Sequence, residues 1–289
     1  MLSMLYSHTS PANGGRVIGG SETTITQYPY SVSLHHSADF INYSHRCGGV
    51  IVSNRAVMTA GHCVFGDAPV RWRIRVGSVR SYTGGVLHNS DLITVHPDYN
   101  FRTLDNDIAI VRSRTNFTLN TSVRVANIAG TATTLPEHAA MWAIGWGATA
   151  YGGPMSETLR HVQVWKVNPL VCKARYAELG QTVTDNMLCT GMLDVGGRDQ
   201  CTGDDGSPLV HNNVVHGLRS WGARCGLARF PGVATRVARY TNWIYFFIKS
   251  VIIEKYIFFT VMLVIFLTKY IDICMTLKGI KRSTFIIPG

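Results

Sequence analysis

Short runs of apolar residues, separated by Gly, Pro, Asn and Ser, occupy the chain from residue 17 to about residue 240. Several runs alternate apolar with polar positions, as WRIRV does from Trp72 onward. Such alternation is typical of a half-buried antiparallel strand. The predicted strands are YSVSLHH, GGVIVSN, WRIRVGS, LITVHP, DIAIVRS, AAMWAIGWG, HVQVWKV, PLVHNNVVHGLRSWG and PGVATRV.

A helical pattern is confined to residues 168 to 178 and to the segment from about residue 236 onward. Short strands at close spacing favour barrels or sandwiches over a parallel sheet with crossover helices. The pattern alone therefore predicts an all-β domain.

The tail, residues 244–289, has a different composition, rich in Ile, Phe, Lys and Tyr. Its longest uncharged stretch is 13 residues, from Tyr256 to Thr268, whereas a membrane helix needs about 20 apolar residues. Two interpretations stay open. The tail is either a gene-model artefact that runs into A/T-rich non-coding DNA, or a membrane or interfacial segment.

Cysteine usage indicates the cellular compartment. Six of the seven cysteines lie between residues 47 and 225, and Cys274 is isolated in the tail. An even set in a strand-rich domain indicates three disulfides and an oxidising compartment, with six buried free thiols as the alternative. Asn-x-Ser/Thr sequons at Asn42, Asn116 and Asn120 also fit a secretory route. We therefore expect a secreted, extracellular protein. No signal peptide is recognisable, and we expect a truncated start.

The net charge of +10 is spread along the chain. Residues 17–243 carry 18 Arg, 2 Lys and 15 acids, which leaves the tail and leader to supply half of the charge. No basic cluster is interleaved with aromatic residues, so we expect no nucleic-acid partner. Arginine keeps its charge where lysine begins to lose it, so the excess of arginine suits an alkaline medium.

Four segments carry candidate chemistry. MTAGHCV places His62 just after a strand, and DNDIAIV places Asp107 at the start of one. GGRDQCTGDDGSP supplies a glycine-rich turn anchored by Cys201. GRVIGG contains an Arg16–Val17 bond, and cleavage of that bond would create a new apolar N-terminus.

In this order, the four segments resemble the chymotrypsin/trypsin family of serine proteases, and CGGVIV, HPDYN, IGWGAT and SWGARCGLARFPGVATRV extend the resemblance over residues 17 to about 243. The domain is most similar to digestive trypsins of insect, especially lepidopteran, midgut. The resemblance implies two six-stranded antiparallel β-barrels, roughly residues 17–126 and 127–243, with a C-terminal helix and the active site between the barrels. The implied disulfides are Cys47–Cys63, Cys172–Cys189 and Cys201–Cys225.

The resemblance also implies the catalytic roles. His62 would act as general base and acid, while Asp107 would orient its ring and stabilise the imidazolium. The backbone N–H groups of Gly203 and Asp205 would form the oxyanion hole.

Residues 1–16 would be a leader or activation peptide. An activating trypsin-like protease would cleave after Arg16, and the new amine of Val17 would pair with Asp204.

The nucleophile position departs from the family. CTGDDGSP, aligned without a gap on the family's Cys-x-Gly-Asp-Ser-Gly-Gly-Pro, puts Asp205 where the serine belongs. Ser207 is two residues along, so its hydroxyl would leave the turn in another direction, and catalysis does not tolerate such misplacement. The charge of Asp205 would oppose a developing oxyanion and hold His62 as imidazolium. We therefore expect an impaired or inactive protease homologue.

The specificity pocket matches the family. Asp199 corresponds to the acid at the floor of the trypsin pocket, and Gly222 and Gly232 correspond to its walls. A buried acid there selects Arg or Lys side chains, so the expected ligand is a protein or peptide with such a side chain. Arg224 replaces a glycine near the pocket rim.

Three functions stay open. The first is a silent homologue that binds basic peptides through Asp199. The second is an active digestive trypsin that cleaves after Arg or Lys, if residue 205 is an error. The third is a membrane-tethered interaction protein, if the tail is translated and inserted. No feature indicates a metal or organic cofactor, and no dense acidic loop indicates calcium.

Overall fold

The structure is a computed structural model that describes residues 18 to 248. The first strands are β1 (Ser21–Glu22), β2 (Ser31–His36), β3 (Ser44–Ile51), β4 (Ala56–Thr59), β5 (Trp72–Val76), β6 (Val86–Val95) and β7 (Ala109–Ser113). They are followed by β8 (Asn127–Ile128), β9 (Ala140–Gly145), β10 (Arg160–Lys166), β11 (Met187–Gly191), β12 (Pro208–His211), β13 (Val214–Trp221) and β14 (Gly232–Arg236). The helices are α1 (Gly61–Val64), α2 (Pro169–Ala177) and α3, which is helical from residue 241 to 248.

The first barrel closes in the order β2-β3-β4-β7-β6-β5. Its strands show the predicted alternation most clearly in β5, where Trp72, Ile74 and Val76 are buried and the two arginines between them are half-exposed. The buried positions therefore fill the barrel interior, as side chains do in small closed barrels.

The second barrel contains β9, β10, β11, β14, β13 and β12, and the pairings of β9 with both β10 and β12 close it. Its interior holds a cluster of buried apolar side chains: Met141, Ala143, Val162, Val164, Leu188, Leu209 and Ala234. Two six-stranded antiparallel barrels confirm the expected all-β fold class.

The first strand belongs to a different sheet from the one that its predicted barrel range, residues 17–126, implies. β1 pairs with β10 of the second sheet, through Ser21 opposite His161 and Glu22 opposite Arg160. A Cβ on Gly20 would lie 2.5 Å from the His161 carbonyl oxygen, so only glycine permits this close approach. The segment after residue 17 therefore belongs to the second sheet, although the sequence placed it in the first barrel.

Four strands, β1, β4, β8 and β11, are absent from the predicted set, although the position given to His62 implied a strand at β4. Every residue of β4 and of β11 is buried. Strands that are covered on both faces show no alternation of apolar and polar residues, which removes one of the signals that predict a strand.

Helix α2 begins as its sequence predicts. The Asn168 side chain accepts hydrogen bonds from the N–H groups of Leu170 and Val171, and Pro169 occupies the first turn. Asparagine is a favoured N-cap, and proline has no N–H to leave unpaired there. Inside the C-terminal helix, Ile244 is buried.

The described residues contain three disulfides, Cys47–Cys63, Cys172–Cys189 and Cys201–Cys225, the pairings that the family resemblance implied. The first joins β3 to α1, and the third joins the glycine-rich turn to the segment after β13. Both therefore restrain segments that carry candidate site residues.

Within residues 18–248, none of the helices has the length and apolar character that crossing a membrane requires. Arg16, Val17 and the leader lie outside the described residues, as does the tail from residue 249 onward.

We expect Val76→Ala to lower the free energy of unfolding by about 2 kcal/mol, because it removes two buried methyl groups. Val76 is 2% exposed, while Val86, its cross-strand partner, is 54% exposed. Val86→Ala is the matched control, and we expect it to cost less than about 0.5 kcal/mol. Denaturant unfolding measures both, and equal losses would contradict the assignment of Val76 to the barrel interior.

Candidate active site

His62 and Asp107 meet because two paired strands bring them together. Thr59, at the end of β4, pairs with Ala109, at the start of β7. The residues just after β4 and just before β7 must therefore be neighbours. His62 Nδ1 lies 2.8 Å from Asp107 Oδ2, and the His62 backbone N–H donates to Asp107 Oδ1 at 2.7 Å.

The second barrel completes the surroundings of Asp107. Ser220 Oγ, on β13, donates to Asp107 Oδ2 at 2.5 Å, and Thr235 Oγ1, on β14, donates to the Asp107 carbonyl oxygen at 2.6 Å. The Asp107 side chain has no solvent exposure. The sequence analysis assigned a role to neither Ser220 nor Thr235, although the SWG segment that contains Ser220 supported the family resemblance.

The glycine-rich turn at residues 201–207 is anchored to both barrels by backbone contacts. The Gly48 N–H donates to the Asp205 carbonyl oxygen, and the Gly206 N–H donates to that of Arg219, each at 2.8 Å. Gly206 has φ +79°, and a Cβ there would lie 2.1 Å from Thr59 Oγ1. The turn therefore requires glycine at position 206 and holds residue 205 in one place.

Asp205 faces the other ring nitrogen of His62. Its Oδ2 lies 3.7 Å from His62 Nε2, and both side chains are about one quarter exposed. His62 therefore stands between two carboxylates, those of Asp107 and Asp205.

Both carboxylates favour the protonated form of His62. Burial on its own lowers the pKa of His62, but the hydrogen bonds and charges of Asp107 and Asp205 outweigh it and raise the pKa to about 10. At neutral pH the imidazole therefore carries a proton on both nitrogens. An imidazolium has no lone pair with which to accept another proton.

Ser207 does not take the place of Asp205 beside His62. Its side chain is 1% exposed. A Cβ on Gly48 would lie 1.8 Å from Ser207 Oγ, and one on Gly145 would lie 3.0 Å from it. The hydroxyl therefore fills the gap between β3 and β9 that these two glycines leave.

Asp204 is a fully buried carboxylate. Its Oδ1 accepts from the Gly147 N–H at 2.7 Å, and its Oδ2 accepts from the Cys201 N–H at 2.9 Å. Burial raises the pKa of Asp204 to about 7, although these two hydrogen bonds oppose the rise. Val17, the partner that the sequence analysis expected, lies outside the described residues.

Gly203 is fixed by a buried histidine that the sequence analysis did not single out. His45 Nε2 lies 2.9 Å from the Gly203 carbonyl oxygen, and His45 Nδ1 lies 2.7 Å from Ser33 Oγ. Burial lowers the pKa of His45 to about 4, so the ring is neutral at pH 7. Gly203 itself has φ +92°, which favours glycine.

Two of the three predicted pocket residues, Asp199 and Gly232, lie together. Asp199 is 4% exposed. Its carboxylate accepts from the N–H groups of Gln200 at 2.9 Å and Gly226 at 3.1 Å. A Cβ on Gly232 would lie 2.5 Å from Asp199 Oδ1, so this wall glycine faces the acid directly. Burial raises the pKa of Asp199, against the opposing charge of Arg219.

The other wall glycine, Gly222, faces a guanidinium. A Cβ there would lie 3.2 Å from Arg219 Nη2 and 3.5 Å from Nη1. Arg219 is buried at 6% exposure, and the sequence analysis did not single it out. The available signal was a lone charge inside the strand VVHGLRSW. Arg224 is exposed, and its guanidinium carbon lies 5.3 Å from the ring centroid of Tyr151, within the range of a cation–π contact.

Within the part of the chain that the structure describes, no three His, Cys, Asp or Glu side chains form a group that could hold a metal ion.

Two closed barrels that share a His–Asp pair, beside a glycine-rich turn and a buried acid at position 199, define the chymotrypsin-like class of serine proteases. The family model that matches is Trypsin, over residues 17–244. The chain belongs to the trypsin family.

Curated relatives agree with this assignment. The chain is 56% identical over 234 residues to Trypsin CFT-1 of Choristoneura fumiferana and to Trypsin, alkaline C of Manduca sexta, covering in each case 81% of this chain and 91% of the relative. It is 47% identical over 232 residues to Achelase-1 of Lonomia achelous, covering 79% of this chain and 98% of the relative. The expected similarity to lepidopteran trypsins is confirmed.

We expect Asp205→Asn to move the pKa of His62 from about 10 toward its ordinary value of 6.5, because one of the two carboxylates loses its charge. A histidine whose pKa is raised by folding contributes stability that is present below pH 6.5 and lost as the pH rises through the folded value. Unfolding free energy should therefore fall between pH 7 and 10, and less steeply in the variant.

Titration of the His62 ring by NMR and denaturant unfolding at several pH values check this expectation. Asp98→Asn, at an exposed acid beside His96, is the control and should leave the His62 pKa unchanged. An identical His62 titration in the original chain and in Asp205→Asn would refute the role of Asp205.

Proposed function

We propose that this chain is a trypsin-family protein without peptidase activity. The observation that carries the proposal is the Asp205 carboxylate, 3.7 Å from His62 Nε2, at the position where the family places its serine hydroxyl. Loss of the nucleophile lowers kcat about 10⁶-fold in a serine protease of unrelated fold that uses the same catalytic groups.

The chemistry of acyl transfer explains why Asp205 is no substitute. In this family a hydroxyl attacks the peptide carbonyl carbon while the histidine accepts its proton, and the carbonyl oxygen becomes an oxyanion. A carboxylate is a poor nucleophile toward an amide, and its acyl product is an anhydride that readily reverts. Its negative charge also repels the developing oxyanion. Electrostatic stabilisation of that oxyanion is usually the largest single contribution to catalysis. His62, held as imidazolium, accepts no proton.

The other family roles belong to the same proposal. The N–H groups of Gly203 and Asp205 form the oxyanion hole, and the His45 contact to the Gly203 carbonyl supports that geometry. An activating trypsin-like protease cleaves after Arg16, and the Val17 amine then pairs with Asp204. The buried position of Asp204, with its raised pKa, supports this pairing because a nearby cation would favour the ionised carboxylate.

We also propose that the protein is secreted. Three disulfides require an oxidising compartment. The asparagines of the three sequons are exposed, as glycosylation requires.

The ligand expected from the sequence is a protein or peptide that presents Arg or Lys to Asp199. The burial of Asp199 and the close approach of Gly232 to its carboxylate support a pocket of this kind. The guanidinium of Arg219, however, lies beside Gly222, one of the two glycines expected as pocket walls. We therefore propose that basic ligands bind only to a variant that lacks this side chain.

A working digestive trypsin is the second candidate, and the identity with proteins named trypsin favours it. It requires a reactive hydroxyl at position 205, so it rests on a misread codon. The membrane-tethered alternative depends on the tail, which lies outside the described residues, and it stays a prediction.

We expect a small organophosphonate to label residue 205 in Asp205→Ser at least about 100-fold faster than it labels the original chain at any position, because the variant restores the hydroxyl and frees His62 to act as a base. A small reagent needs no occupied specificity pocket, so the test is independent of Arg219. Mass spectrometry of the chain cleaved after Arg16 locates the adduct.

Two controls sharpen this test. His62→Ala combined with Asp205→Ser should abolish labelling. Ser207→Ala should leave the rate of labelling unchanged. Covalent labelling of Ser207 in the original chain, or unchanged labelling in Asp205→Ser, would disprove the proposal.

A further inference from the structure

Arg219 is a charged residue in the interior of the second barrel's β13 strand. Its backbone N–H donates to the Ser207 carbonyl oxygen at 2.9 Å, and its carbonyl oxygen accepts from Gly206. The backbone therefore lies directly beside the glycine-rich turn. The side chain is buried, whereas arginine is almost never fully buried unless it is paired.

The side chain projects toward Gly222, one of the two predicted pocket walls. The guanidinium nitrogens lie within 3.5 Å of the position that a Gly222 Cβ would take, and Tyr176 Oη lies 3.6 Å from the same point. Nη1 donates to the carbonyl oxygens of Trp221 and Val233, which belong to β13 and β14. The strands that line the pocket thus supply the hydrogen-bond acceptors.

The positive charge of Arg219 also acts on Asp199, the acid expected at the pocket floor. Asp199 is buried, and its ionised form is stabilised by the Arg219 charge and by the N–H groups of Gln200 and Gly226. A buried guanidinium without a counter-charge is strongly unfavourable, and so is a buried carboxylate without one. The Arg219 charge therefore supports the ionised state of Asp199.

We infer that Arg219 is an internal occupant of the Asp199 pocket and closes it to Arg and Lys side chains of other molecules. This inference rests on the proposed role of Asp199 as the pocket floor and is independent of the loss of the nucleophile. An incoming cation would compete with Arg219 for one carboxylate. Binding would leave a second positive charge in the same dry pocket, which burial penalises.

A fluorescent aryl amidine tests the inference by equilibrium binding, with Asp205 unchanged. We expect the chain cleaved after Arg16 to show no saturable binding. Arg219→Val removes the guanidinium, and we expect this variant to bind the amidine at least about 100-fold more tightly, because the amidinium gains the unpaired carboxylate. Asp199→Asn in the Arg219→Val background should abolish the gain.

Arg224→Val is the matched control, because it also deletes one positive charge near the pocket but at an exposed position. We expect it to leave amidine binding absent. The inference is overturned if the original chain binds the amidine within threefold of Arg219→Val, or if Arg219→Val folds, as judged by circular dichroism, and does not bind. Because no turnover is measured, neither outcome depends on Asp205.

A double-mutant cycle covers the case in which Arg219→Val does not fold. Asp199→Asn alone leaves the guanidinium without its counter-charge, so we expect its Tm to fall by roughly 5–10 °C. Asp199→Asn combined with Arg219→Met removes both charges and should recover much of that loss. Additive effects of the two substitutions would show that the side chains do not interact, and would refute the internal pairing.

Discussion

The need to satisfy buried carboxylates shapes the junction of the two barrels. Asp107, Asp199 and Asp204 are all buried, and an unpaired buried charge is costly. Each is satisfied by a different group: Asp107 by His62 and Ser220, Asp204 by backbone N–H groups, and Asp199 by backbone N–H groups together with the charge of Arg219. Because these partners come from separate elements, the acids fix how the elements meet.

Asp205 differs from these three acids because its side chain is partly exposed and faces His62. The turn that carries it is held by its backbone, through Gly48 and Gly206. A change of side chain at position 205 therefore alters the chemistry and the protonation of His62 without removing any of these anchoring hydrogen bonds. This separation explains how the trypsin-family framework accommodates an aspartate at position 205.

Strand β5 could be predicted because its alternation is visible in the sequence, whereas β11, which is buried on both faces, shows no alternation. His62 and Asp107 were identified through family motifs, since 45 residues separate them and only the pairing of β4 with β7 joins them. Arg219 could not be placed. A lone arginine in a strand is usually solvent-exposed, and its direction depends on a register shift of β13 between Arg219 and Trp221 that no local pattern reveals.

The pairing of β1 with β10 makes the two halves of the domain interlaced. The chain contributes Ser21 and Glu22 to the second sheet before it builds any strand of the first barrel. A hybrid that joins one half of this protein to the complementary half of a relative would thus also need a matching N-terminal segment. The two halves therefore fit together only when the short N-terminal strand matches the second sheet, and they are not freely interchangeable.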